Sequence, residues 1–119
     1  MAETDVLART TRINLLFDFY RPLLTEKQQT FMQLHFHEDF SLGEIAEQFD
    51  VSRQAVFEHI KRAEQMLEEY ENKLQLLRQH EERSRAVREC IELIRAAAMP
   101  GKARVLKLLH QIGGDPDGV

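Results

Sequence analysis

SLGEIAEQFDVSRQAVFEHIKR, residues 41–62, contains two helix starts eleven residues apart. Ser41 is followed three positions later by Glu44, a pairing in which the serine oxygen accepts from an early helix amide and the glutamate reaches back. Leu42, Ile45, Ala46 and Phe49 then form the inner stripe of a short helix. Asp50 sits in the turn, and Ser52 opens the next helix. There Val56, Ile60, Ala63 and Leu67 recur at intervals of four, three and four, which is a core-facing stripe. A short capped helix, a tight turn and a longer capped helix make a helix-turn-helix. No glycine stands in the turn; Asp50 takes that place, and aspartate tolerates the left-handed conformation better than most residues.

Toward the N-terminus, Ile13, Leu16, Phe17 and Tyr20 keep helical spacing over residues 10–23, with Thr10 or Thr11 as the expected cap and Pro22 at the exit. Thr25 and Gln28 form another capping pair, opening a second helix that runs to about Phe36 and buries Phe31, Met32 and Leu34 or Phe36. HEDF, residues 37–40, makes the turn into Ser41. Its neighbourhood, His35, His37, Glu38 and Asp39, is read as a helix end rather than a metal site, because residues two apart on a helix point away from each other.

Toward the C-terminus, Leu67, Tyr70, Leu74 and Leu77 continue the stripe at three, four and three, a heptad-like seam that favours pairing. QHEERSR, residues 79–85, interrupts it, as a bend or a turn. Val87, Cys90, Ile91 and Ile94 form the next apolar set, with Cys90 read as a small core residue. Pro100-Gly101 ends that helix, and KARVLKLLHQI, residues 102–112, forms a short amphipathic one. The organisation expected is a helix-turn-helix bundle over 1–72, a helical extension over 73–112 and a disordered tail over 113–119.

Composition agrees with an all-α protein. Two of three prolines and four of five glycines fall after residue 99. No apolar run approaches the roughly 20 residues of a membrane span, and residues 1–12 hold no signal-peptide core. With a single cysteine, a cytoplasmic protein is expected. The charge is uneven. Residues 41–72 hold three Lys/Arg against eight Asp/Glu, a balance of −5, whereas residues 73–107 hold nine against four, a balance of +5. DNA affinity rests largely on neutralising phosphates, so an acidic reader region is a poor match for an ordinary repressor.

The exposed side of the 53–62 helix offers Arg53, Gln54, Phe57, Glu58 and Lys61. Arg53 suits guanine and Gln54 suits adenine, with Lys61 and Arg62 in reach of phosphate. Glu58 opposes a phosphate-lined groove, and Phe57 offers only contact with thymine methyls. In the basic segment, Arg83, Arg85 and Arg88 suit phosphate contacts to a structured RNA. The plainer reading of that segment is a solvated, salt-bridged face, with Glu81–Arg85, Arg85–Glu89 and Arg88–Glu92 each four apart. Nothing in the chain resembles a Ser/His/Asp set, a phosphate loop or zinc spacing, so neither catalysis nor a metal or cofactor is expected.

Residues 24–67, LTEKQQ through AEQML, resemble the region of bacterial sigma factors that binds an upstream promoter element. More closely, NLLFDFYRPLLTEKQ followed by SLGEIAEQFDVSRQAVFEHIKRAE is similar to the YlxM family of small bacterial proteins, with residues 10–77 carrying the likeness. The resemblance implies a sigma-region-4-like helix-turn-helix bundle in a cytosolic bacterial protein associated with the signal recognition particle pathway. It points to the particle's protein, its receptor or its RNA as partners. The leading expectation is a non-enzymatic binding or regulatory protein of that pathway. The alternatives are a DNA-binding transcription regulator using Arg53, Gln54, Phe57 and Lys61, and an adaptor that forms a homodimer along the 67–94 seam.

Overall fold

A computed structural model describes residues 2–113. Among them are six α-helices and no strand: α1 (Ala2–Tyr20), α2 (Glu26–Met32), α3 (Leu42–Phe49), α4 (Arg53–Leu74), α5 (Leu76–Ala96) and α6 (Lys102–Ile112). The fold is all-α. The chain divides into two compact units, one ending at Gln75 and one starting at Leu76. From residue 114 on, the tail expectation lies outside the described residues.

In the first unit, α4 is the element against which α1, α2 and α3 all pack. Its Val56, Ile60, Ala63 and Leu67 are buried, as the spacing requires. Ile13, Leu16, Phe17 and Tyr20 supply the buried side of α1, and Phe31, Met32, Ile45 and Ala46 those of α2 and α3. Burial of this apolar surface is the main favourable contribution to the unit.

The start signals of α2, α3 and α4 all form. The Thr25 hydroxyl accepts from the Gln28 amide at 3.2 Å while Gln28 Oε1 accepts from the Thr25 amide at 2.9 Å. Gln28 is also buried, its amide donating to Met66 Sδ at 3.5 Å, so one side chain both caps α2 and packs on α4. Ser41 and Glu44 make the same reciprocal pair at 3.0 and 2.9 Å. Ser52 accepts from the Ala55 amide at 3.0 Å. Between α3 and α4, Asp50 adopts the left-handed conformation at φ 53°, and the Val51 amide closes the turn onto the Ala46 carbonyl at 3.0 Å.

Several features differ from expectation. Thr10 and Thr11 lie inside α1 rather than capping it. Residues 2–9 contain no proline or glycine to stop a helix, and Arg9 and Arg12 find acidic partners on α4 that hold this part down. Residues 33–37 continue α2 as a π-helical turn, reversed by Asp39 at φ 58°. Phe49 is 38% exposed rather than enclosed; it closes the end of α3 by an edge contact with Phe31 at 5.2 Å.

The break expected at 79–85 is instead at Gln75, and residues 79–85 run uninterrupted through α5. Gln75 takes φ 54° and its amide caps α4 on the Glu71 carbonyl at 2.8 Å. The expected 67–94 seam is therefore two helices. Leu67 and Tyr70 belong to the first unit, where the Tyr70 hydroxyl donates to the Leu23 carbonyl at 3.1 Å, and Leu74 is exposed.

The second unit pairs α5 with α6. Val87 and Ile91 are buried, but Cys90 is exposed. At about 100° per residue Ile91 lies about 40° to one side of Val87 and residue 90 about 60° to the other, so Cys90 falls on the flank of the buried stripe. Gly101, at φ 75°, starts α6, and Lys102 Nζ caps the Arg95 carbonyl at 2.7 Å. At Gly113 a Cβ would come within 2.9 Å of Val87, so glycine permits the close approach at the end of the hairpin.

Candidate functional site

α4 presents Arg53, Gln54, Phe57, Glu58, Lys61 and Arg62 to solvent. At 3.6 residues per turn these positions occupy one broad arc, opposite the Val56/Ile60/Ala63 stripe. The expected reading-face residues are thus brought together. Phe57 is 44% exposed although it is a large apolar side chain. Gln54 is already engaged: its amide donates to Glu58 at 3.3 Å.

Apart from Glu58, the acidity of residues 41–72 does not fall on this arc. Glu64 pairs with Arg9 at 3.2 Å, Glu68 accepts from Arg12 Nε at 2.9 Å and Nη2 at 2.8 Å, and Glu71 accepts from the Tyr20 hydroxyl at 2.6 Å. All three partners lie on α1, so the acidic half of α4 serves to hold α1 in place. Between residues 53 and 62 three cations stand against one carboxylate, a balance of +2. Arg53, Lys61 and Arg62 make no ion pair among the described residues. The regional average read from the sequence therefore hid a locally basic face.

Beside this face lies a groove of about 330 Å³ between α1, the π-helical turn, the start of α3 and α4. Ile13 and Ile60 are buried at its floor, Phe36 and Leu42 are half-buried in its walls, and Val6 and Phe57 are exposed at its rim. The sequence reading missed it because the helix expected from residue 10 left Val6 out. The apolar dipeptide Val6-Leu7 before the Ile13 stripe was the available signal.

Arg83, Arg85 and Arg88 are all exposed on α5. Arg85 and Arg88, three apart, share a side; Arg83, two before Arg85, projects from the other. None of the pairs Glu81–Arg85, Arg85–Glu89 and Arg88–Glu92 closes. Arg78–Glu82 does, at 3.1 Å. Among the described residues no three His, Cys, Asp or Glu converge as metal ligands, and no helix is long and apolar enough to cross a membrane. The ring of His35 bonds the Phe40 carbonyl at 2.9 Å, and that of His37 lies 5.6 Å from Phe17.

The family model described as "Putative helix-turn-helix protein, YlxM / p13 like" matches residues 7–100. The chain belongs to this family, UPF0122. A UPF0122 protein of Bacillus thuringiensis (strain Al Hakam) is 60% identical over 89 residues, which is 75% of this chain and 81% of its own length. UPF0122 proteins of Bacillus cereus (strain 03BB102) and Bacillus anthracis (strain A0248) match with the same identity and coverage. The matched span includes all of α3 and α4, hence the whole helix-turn-helix of this UPF0122 member.

Proposed function

We propose that this chain is a non-enzymatic binding or regulatory protein of the signal recognition particle pathway of bacterial membrane-protein targeting. In this reading it works in the cytoplasm through contacts with the particle's protein, its receptor or its RNA. The pathway comes from the YlxM likeness. The observation that supports binding over base reading is the makeup of the α4 face: Phe57 stands exposed at its centre, and Gln54, the residue suited to adenine, is tied to Glu58. Exposed Arg85 and Arg88, on one side of α5, offer contacts to RNA phosphates, with Arg83 on the other side.

The test is a pull-down of particle components on the full chain, with and without ribonuclease. Retention that resists ribonuclease assigns a protein contact; retention that it abolishes assigns the RNA. In the latter case affinity falls as salt rises, and Arg85→Glu with Arg88→Glu weakens it. Absence of all components from both arms overturns the reading.

A second reading is favoured by the unpaired Arg53, Lys61 and Arg62 on the second helix of a helix-turn-helix: a transcription regulator acting on DNA. It requires sequence-selective retention of duplex DNA that Arg53→Ala abolishes.

A further inference from the structure

We infer that the groove between α1, the π-helical turn, α3 and α4 is a docking site for an amphipathic helix of a partner protein, its apolar face flanked by acidic side chains. The inference rests on the reading of the chain as a binding protein and specifies where and what it binds.

The groove collects apolar side chains from four elements, and two of them serve no core. Val6 is 62% exposed and Phe57 44% exposed, while Ile13 and Ile60 beneath them are buried. Water over such a floor is displaced favourably by another apolar surface. Helical walls suit a helical occupant, which anchors residues of the i, i+3/i+4, i+7 series in an apolar groove.

Charge selects the occupant. Glu64, the α4 carboxylate in the groove lining, is ion-paired with Arg9, and Glu58, which accepts from Gln54, lies outside that lining. Glu44, beside Leu42, is held by the Ser41 amide. Glu47 and Asp50 stand toward the far end of α3, on the order of 10 Å along the helix from Leu42. Lys61, in the lining of the groove, and Arg53, beside Leu42 and Phe57 at its edge, make no ion pair among the described residues and are left to meet the incoming helix. Acidic flanks complement them and basic flanks are repelled. This disfavours α6 of a second copy as the occupant: it is amphipathic but carries Lys102, Arg104 and Lys107 against no carboxylate. Duplex DNA would meet the same cations but offers little to Val6, Phe36 and Leu42.

The probe is a displayed library of helical peptides of about 16 residues, long enough for anchors over two turns. Anchor positions vary among Leu, Ile, Met and Phe, and flanking positions are Glu or Lys in equal proportion. Selection on the full chain is expected to enrich Glu-flanked peptides. Synthetic versions should bind the wild type and lose at least roughly tenfold in affinity on Phe57→Asp and on Lys61→Glu. Both positions are exposed, so circular dichroism should show the fold retained. Leu108→Asp, on α6, should bind like the wild type.

Enrichment of Lys-flanked peptides, no enrichment, or equal binding to Phe57→Asp overturns the inference. So does a duplex DNA that binds through Lys61 where no peptide does. Failure here is separable from failure of the pathway reading. If particle protein is retained equally by the wild type and Phe57→Asp, the groove is wrong and the pathway stands. If the peptides bind but no particle component is retained, the groove stands and the pathway is wrong.

Discussion

The Tyr20 hydroxyl, at the end of α1, donates to the Glu71 carboxylate, near the end of α4, at 2.6 Å, and both residues are buried. The bond joins the C-terminal ends of the two helices. A buried carboxylate that loses a donor bears the cost of its own desolvation. Tyr20→Phe keeps the ring and its packing and removes only the hydroxyl. The expected loss is about 1–3 kcal/mol in urea unfolding, with an unchanged m-value. A loss near zero would mean that the remaining surroundings of Glu71 satisfy it without Tyr20.

The bidentate Arg12–Glu68 pair differs because it is solvated, with side chains 46% and 40% exposed. Screening limits such a pair even with two parallel bonds at 2.8 and 2.9 Å. A double-mutant cycle of Arg12→Ala and Glu68→Ala should give a coupling of about 0.5–1 kcal/mol. The coupling should shrink as salt is raised toward 1 M. A salt-independent coupling would point to packing of the side-chain stems rather than to charge.

The fold was legible where its signals are local. Thr25/Gln28, Ser41/Glu44 and Ser52 bond to amides three residues away, so their spacing was enough to find α2, α3 and α4. The helix-turn-helix face followed in turn, since the α4 stripe dictates which positions are left to solvent. What was illegible depends on distant contacts. The N-terminal part of α1 is held by Glu64 and Glu68, 55 and 56 residues further along the chain. Glutamine has no preference for the left-handed conformation it adopts at Gln75, so nothing local marks that stop. The apolar groove draws Val6, Phe36, Leu42 and Phe57 from four elements, and no single stretch shows it. Regional charge misled for the same reason: Glu64, Glu68 and Glu71 turn toward α1, not toward a partner.

Asp50 sets the helix-turn-helix angle from a left-handed conformation at φ 53°, ψ 48°. An isolated left-handed residue costs roughly 1–2 kcal/mol where a Cβ crowds the backbone, least for Gly and little for Asp and Asn. Asp50→Gly should therefore leave stability within about 1 kcal/mol of the wild type. Asp50→Val, β-branched, should lower it by roughly 2 kcal/mol. Thermal unfolding of the pair checks this; equal melting temperatures would mean that the turn relaxes to another conformation.

Glu44 gives the first unit an acid-side dependence. Its carboxyl is held below its usual value of 4.5, first by accepting from the Ser41 backbone amide and next by a side-chain bond with Ser41. A depressed carboxylate contributes stability that is fully present above the unfolded value. That contribution is lost as pH falls through the folded one. Glu44→Gln keeps the capping geometry without the charge. The stability difference between wild type and Glu44→Gln should be constant above about pH 6 and diminish toward pH 3. Urea titrations at several pH values test it, and a difference independent of pH would assign the box to geometry alone.

Cys90 stands on the flank of α5 rather than among Val87 and Ile91, and its exposure makes it a reporter of the native state. A thiol buried in a helical hairpin is modified only after the hairpin opens, so its rate tracks unfolding. An exposed one reacts through its thiolate at a rate set by pH. Ellman's reagent should therefore label Cys90 fully in the folded protein, with a rate that rises with pH and hardly changes on adding sub-denaturing urea. Cys90→Ser should leave thermal stability within about 0.5 kcal/mol of the wild type, as for a surface substitution. Labelling that waits for denaturant, together with a marked loss of stability in Cys90→Ser, would place the thiol inside the second unit after all.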